Sequence, residues 1–145
     1  MVSIEEYLST SYEADREYID GEVIERNWGE TDHGGLHAVL LGWLSLRRKA
    51  LGIHVFPSLR TQVAPTRFRI PDIAVTTQKA KGRILREPPF LCIEVLSPED
   101  RASRMEVKID DYLKFGVAHV WLVDPRKKLA WSLTRAKGAG RLPPC

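Results

Sequence analysis

The sequence predicts a single α/β domain with a mixed central sheet flanked by two main helices, and three features carry that expectation. Six apolar residues surround one carboxylate in Phe90-Leu91-Cys92-Ile93-Glu94-Val95-Leu96, the pattern of a buried strand. Apolar positions recur at helical spacing before this run and again after it. The intervening and following stretches are short, extended in character and punctuated by Pro and Gly. At 145 residues, with 43% hydrophobic and 28% charged residues, one core suffices and disorder is excluded.

The elements follow in order. Residues 4–8 form a short helix, and residues 18–25 read as two extended pieces about the Asp20-Gly21 turn, a hairpin signal. From 33 to 51 the positions Leu36, Val39, Leu40, Trp43, Leu44 and Leu46 give a helix, with Gly52 as its C′ residue. Residues 53–56, 59–63 and 68–75 are short strands, the last interrupted by Pro71. The polar, basic stretch 77–89 is a surface loop. After the Glu94 strand, Ser97-Pro98-Glu99-Asp100 starts a second helix, striped by Met105, Ile109, Tyr112, Leu113 and Phe115 and ended by Gly116. Strands over 119–123 and 129–133 flank an Asp124-Pro125 turn. The domain thus covers residues 1–135, the tail 136–145 is expected to fray, and no closing element follows, as in a shortened version of such a fold. The tryptophans Trp43, Trp121 and Trp131 are expected in the core, and Trp28 in a polar loop is a candidate for stacking on a base.

No apolar run approaches the roughly 20 residues of a membrane span, and the N-terminus lacks a leader pattern, so a cytoplasmic protein without a membrane partner is expected. Cys92 and Cys145 have neither the number nor the spacing of a disulfide or zinc framework. A net charge of +3 conceals a gradient: residues 1–32 carry ten acids against two bases, and residues 101–145 carry four against ten. The basic third, including Arg126, Lys127, Lys128, Arg135, Lys137 and Arg141, either contacts phosphates or forms a solvated face.

The chemistry rests on two acids. A buried unpaired carboxylate costs several kcal/mol, so Glu94 needs a compensating partner. Asp72, in Ile70-Pro71-Asp72-Ile73-Ala74-Val75, is the only other acid in a comparable setting. Two carboxylates from adjacent strands suit a hard divalent cation, which takes oxygen ligands and keeps several waters. Lys108, on the helix after the Glu94 strand, is the candidate to orient or deprotonate an attacking water, with Tyr112 one turn further on. Plainer readings compete: Asp72 as a turn residue, Glu94 in a buried ion pair with Arg60, Arg69 or Lys108, Lys108 as a solvated helix lysine, and Tyr112 as core. Asp100 and Asp124 read as helix-start and turn residues.

The residues Pro71-Asp72, Glu94-Val95-Leu96-Ser97-Pro98, Lys108, Asp111 to Val117, and Val120-Trp121-Leu122-Val123-Asp124-Pro125 together resemble the Uma family of bacterial endonucleases. Tyr18-Ile19-Asp20-Gly21-Glu22 and His33-Gly34-Gly35-Leu36 extend the likeness over roughly residues 4–135. That family belongs to the PD-(D/E)xK nuclease superfamily. The resemblance implies a restriction-endonuclease-like fold and Mg2+-dependent cleavage of DNA phosphodiesters, with Mn2+ as the alternative ion. It implies Asp72, Glu94 and the carbonyl of Val95 as metal ligands, and Lys108 as the lysine that the superfamily carries two positions after the second acid, where Leu96 stands here. It also implies Glu22 as a further catalytic acid from the hairpin, His33 facing the site, and a homodimer that cuts both strands. Two rivals stand beside it: a decayed nuclease that only binds nucleic acid, and a hydrolase of small phosphate esters.

Overall fold

The computed structural model describes residues 1–26 and 31–135; Trp28, Lys137, Arg141, Cys145 and the predicted tail lie outside it. The chain opens with α1 (Ile4–Ser9), whose Ser3 hydroxyl accepts the amide of Glu6 as an N-cap. The predicted hairpin follows as β1 (Glu17–Ile19) and β2 (Glu22–Ile24). Asp20 and Gly21 link them with φ of 49° and 98°, positive values at both central positions that match the right-handed twist of a two-residue hairpin.

The long predicted helix divides into α2 (Thr31–Leu46) and α3 (Arg48–Leu51), and Gly52, at φ 65°, caps the second. Five strands then run β3 (His54–Pro57), β4 (Thr61–Ala64), β5 (Arg67–Arg69), β6 (Ile73–Thr76) and β7 (Leu91–Val95). The loop between β6 and β7 is the expected one, tied back by a bridge from Leu85 to Thr61. Helix α4 (Ala102–Phe115) and strands β8 (His119–Asp124) and β9 (Leu129–Leu133) complete the described chain.

The strands form two sheets. A five-stranded mixed sheet has the order β3-β6-β7-β8-β9, with β7 and β8 parallel across α4 and the other pairs antiparallel. A four-stranded antiparallel sheet has the order β2-β1-β5-β4. The stretch read as one interrupted strand over 68–75 is therefore two strands in different sheets, because Pro71 cannot donate to a ladder and the chain leaves one sheet there for the other.

Three apolar clusters hold the layers. One face of the five-stranded sheet packs Ile73, Val75, Ile93 and Val95 against Leu44 and its neighbours on α2. The other face packs Cys92, Val120 and Leu122 against Ile109, Tyr112 and Leu113 of α4, which also meets Val63 of the second sheet. Tyr7, Tyr18 and Phe68 join α1 to that second sheet. Trp121 and Trp131 are partly buried against these cores, but Trp43 is not a core residue: it is 49% exposed, with the Arg47 guanidinium 4.0 Å from its ring centre. Helix α2 is apolar on nearly all sides, so spacing alone did not identify the face that packs.

Candidate active site

Strand alternation places the acids. Leu91, Ile93 and Val95 point into the α2 core, so Cys92 and Glu94 face α4. The β6–β7 register pairs Ile73 with Ile93, and one further step sets Asp72 opposite Glu94. Both carboxylates therefore lie on the α4 side, at the point where the chain changes sheets. They form the floor of a cleft of about 490 Å3 that is also lined by Glu17, Arg26, His33 and Lys108.

Lys108 enters from the second turn of α4 and is 9% exposed. Its Nζ lies 2.9 Å from Glu17 Oε2 and 3.0 Å from Glu94 Oε1, and donates to the Ile70 carbonyl at 3.4 Å. The Tyr112 hydroxyl, one turn along, donates to the same Glu94 Oε1 at 2.8 Å. Leu96, where a lysine two positions after the acid would stand, instead packs partly buried against the α4 core, and the ammonium arrives from the helix. Of the plainer partners for Glu94, Lys108 is the one present. Arg60 pairs with Asp15, and Arg69 with Glu17 and Asp111.

Asp72 is 5% exposed and fully engaged. Its Oδ2 accepts the Val95 amide at 2.7 Å and lies 3.5 Å from His33 Nε2, and its Oδ1 accepts from Arg26 at 2.8 Å. His37 Nε2 sits 3.0 Å from its carbonyl. Ser97 and Asp100 shape the approach to α4, where the Asp100 carboxylate accepts the Ser97 amide at 2.7 Å and no side chain caps the helix itself. Asp124 holds its turn, accepting the amides of Arg126 and Lys127.

The hairpin contributes two acids to the cleft, Glu22, singled out in the sequence, and Glu17, which was not. Glu22 is exposed at the cleft rim, whereas Glu17 is 5% exposed inside it. Glu17 accepts the Ile70 amide at 2.7 Å and Arg69 Nη1 at 3.3 Å, besides its contact with Lys108. The available signal was Arg69 itself: a cation between Phe68 and Ile70 demands a buried anion just as Glu94 demands a cation. Arg26 left no such signal, since no spacing rule links positions 26 and 72.

Environment separates the acids. Burial pushes the Glu94 carboxyl up to about 7; Lys108 opposes this, and the neighbouring charges of Asp72 and Glu17 reinforce it. Burial acts on Asp72 too, but the His33 hydrogen bond, Lys108, Arg26 and the Val95 amide overcome it and hold the carboxyl at about 2. Glu17 likewise ends below its usual range despite burial, through Lys108 and Arg69. Desolvation pulls Lys108 down, and the Glu17 and Glu94 charges more than restore it, so the ammonium persists.

Among the described residues no three His, Cys, Asp or Glu side chains are placed to hold a metal ion. What the site offers is a pair of carboxylates, with Asp72 held by Arg26, His33 and the Val95 amide and Glu94 held by Lys108 and Tyr112 through Oε1. That suits Mg2+, which is commonly held by one or two carboxylates and completes its shell with water and substrate phosphate. Val95, proposed to ligate through its carbonyl, lines the cleft and is fixed beside Asp72 by its amide.

Comparison with known proteins bears on the fold and the family. No curated protein matches the chain. The crystal structure of "a putative nuclease belonging to DUF820" from Anabaena variabilis superposes with a TM-score of 0.83 at 21% identity, covering 96% of this chain and 83% of the other. That likeness shows the shared fold. The profile of the Uma2 family, described as "Putative restriction endonuclease", matches residues 4–145, and the chain belongs to that family.

Proposed function

We propose that the protein is a metal-dependent endonuclease that hydrolyses DNA phosphodiester bonds with Mg2+, or Mn2+ in its place. The observation that carries this reading is the cross-strand pair Asp72 and Glu94 at the floor of a cleft, with the Lys108 ammonium 3.0 Å from Glu94. Asp72 and Glu94 would hold the cation, and the Val95 carbonyl is the third candidate ligand. When bound, the cation supplies positive charge that lowers the pKa of a water and stabilises a phosphoryl oxygen.

The remaining steps belong to the chain's own residues. Lys108, kept charged by Glu17 and Glu94, orients the attacking water and stabilises the negative charge that develops at pentacoordinate phosphorus. The Tyr112 hydroxyl fixes one Glu94 oxygen, so the carboxylate turns its other oxygen to the ligand. Glu22, exposed and lining the cleft, would assist as the further acid from the hairpin. Arg101 and Arg104 line the mouth and supply phosphate contacts. A cytoplasmic location and a homodimer that presents one site to each strand belong to the same proposal; among the described residues no helix is long and apolar enough to cross a membrane.

A second reading has one observation in its favour. Arg26, His33 and Lys108 already neutralise the acids, as they would in a protein that binds nucleic acid without cutting it. Nicking of supercoiled plasmid decides between the two. Nicking that requires Mg2+ or Mn2+ and is lost in Glu94→Gln and Lys108→Met supports the enzyme. Salt-dependent DNA binding without nicking under either ion supports the binding protein.

A further inference from the structure

Arg26 holds an unusual position among the cations of the site. Its guanidinium donates to Asp72 Oδ1 at 2.8 Å, directly on a carboxylate assigned to the divalent ion. It lies two residues beyond the end of β2, outside any strand or helix. The other cations are held harder. Lys108 sits within α4 on two carboxylates and is 11% exposed in its side chain, and Arg69 spans Glu17 and Asp111 at 9%. Arg26 is 18% exposed, and its ion pair among the described residues is with Asp72 alone.

Charge balance then selects it. Glu17, Asp72, Glu94 and Asp111 face Lys108, Arg69, Arg26 and, when protonated, His33, so a divalent cation arriving on Asp72 and Glu94 adds two positive charges to a site already near neutrality. The cation with the fewest restraints and the widest opening to the cleft is the one displaced. Its planar fork fits a carboxylate and a phosphate equally well, and the cleft it lines is where a phosphodiester would lie.

We propose that Arg26 is a stored substrate-positioning residue: it rests on Asp72 until a divalent cation takes that carboxylate, then turns to the phosphate being cut. The inference rests on the metal-dependent reading above. By linkage, an internal cation that competes for Asp72 weakens metal binding by the same factor that metal binding weakens the Arg26 contact. Removing it therefore tightens metal binding. An arginine that merely shaped Asp72 for the metal would act in the opposite direction.

The test is Ca2+ calorimetry without DNA on wild type, Arg26→Gln and Glu94→Gln, with thermal unfolding to verify each fold. The expected result is that Arg26→Gln binds Ca2+ about tenfold more tightly than wild type, the gain from releasing an occupied competent state. With saturating Ca2+, the same variant binds a labelled DNA duplex more weakly, and its salt slope shrinks by about 0.9, one phosphate contact. Should Arg26→Gln fail to fold, the 15N signal of Arg26 Nε in the wild-type protein carries the test, and it shifts as Ca2+ is titrated. Unchanged or weaker Ca2+ binding by Arg26→Gln, or an Arg26 Nε signal indifferent to Ca2+, overturns the proposal while leaving the metal site intact. Absence of Ca2+ binding in both wild type and Arg26→Gln sinks the metal-dependent reading itself.

Discussion

Replacing Glu94 by Gln should change how the stability of the metal-free protein depends on pH. Glu94 is 3% exposed, and its carboxyl moves from about 4.5 in the unfolded chain to about 7 in the fold. Between those values the folded state binds more protons than the unfolded one, so the free energy of unfolding falls as pH rises through this window. A pKa that differs by one between the two states is worth roughly 1.4 kcal/mol, giving a loss of about 3 kcal/mol between pH 4.5 and 8. Gln keeps the shape, still accepts from the Tyr112 hydroxyl, and cannot ionise. The assay is urea unfolding in EDTA, followed by tryptophan fluorescence, at half-unit steps from pH 5 to 8. His33, whose pKa is raised chiefly by its Asp72 hydrogen bond, also loses stabilising protonation as pH rises above 6.5. It is present in both proteins, so the difference between their curves isolates Glu94. Saturating Ca2+ should flatten the wild-type curve, because the ion stabilises the ionised carboxylate. Equal losses in wild type and Glu94→Gln between pH 5 and 8 would refute the placement of Glu94 as a desolvated, divalent-cation-seeking acid.

Three further outcomes follow from the same contacts. Asp72, held at about 2 against an ordinary 3.8, contributes stability that is complete above pH 4 and lost as pH falls through 2; acid titration of unfolding should show wild type losing about 2 kcal/mol that Asp72→Asn does not. Glu17→Gln strips buried Arg69 and Lys108 of a shared carboxylate and should cost about 3 kcal/mol in urea unfolding, whereas Glu22→Gln at the exposed rim should fall within about 0.5 kcal/mol of wild type. The double change Arg101→Ala with Arg104→Ala should leave Ca2+ affinity in place and reduce the DNA salt slope by up to about 1.8, read by fluorescence anisotropy between 50 and 200 mM salt.

What the sequence disclosed and what it withheld divide along a physical line. Glu94 was legible because a carboxylate amid six apolar residues violates the pattern of its own strand, and Asp72 because it opens the neighbouring run. Both signals are local. Lys108 drew attention through a family likeness and through its place on the helix that follows β7; its depth in the structure was not readable, since helix lysines are ordinarily solvated. Glu17 and Arg26 stayed hidden because their importance arises from partners far away in the chain. The hairpin, α4 and the β8–β9 pair were found from turn chemistry and period. The division of strands into two sheets was missed because pairing partners, unlike strands, leave no mark on the sequence of either one. Trp43 was misplaced for a related reason: α2 is apolar on the side that packs and on the side that does not.

Glu17 and Arg69 come from the four-stranded sheet, Asp72 and Glu94 from the five-stranded one, and Lys108 from the helix between them. The ions that would perform hydrolysis are thus also the mortar between layers, and an unfolding event must break them together. Selection for a folded chain alone would keep Glu17 and Lys108 in place long after cleavage had ceased to matter. Arg101 and Arg104, which line the mouth, have no such second duty. In a lineage abandoning its chemistry, the rim would drift first, and the charge of the cleft mouth would record the loss before the pair of Glu17 and Lys108 did.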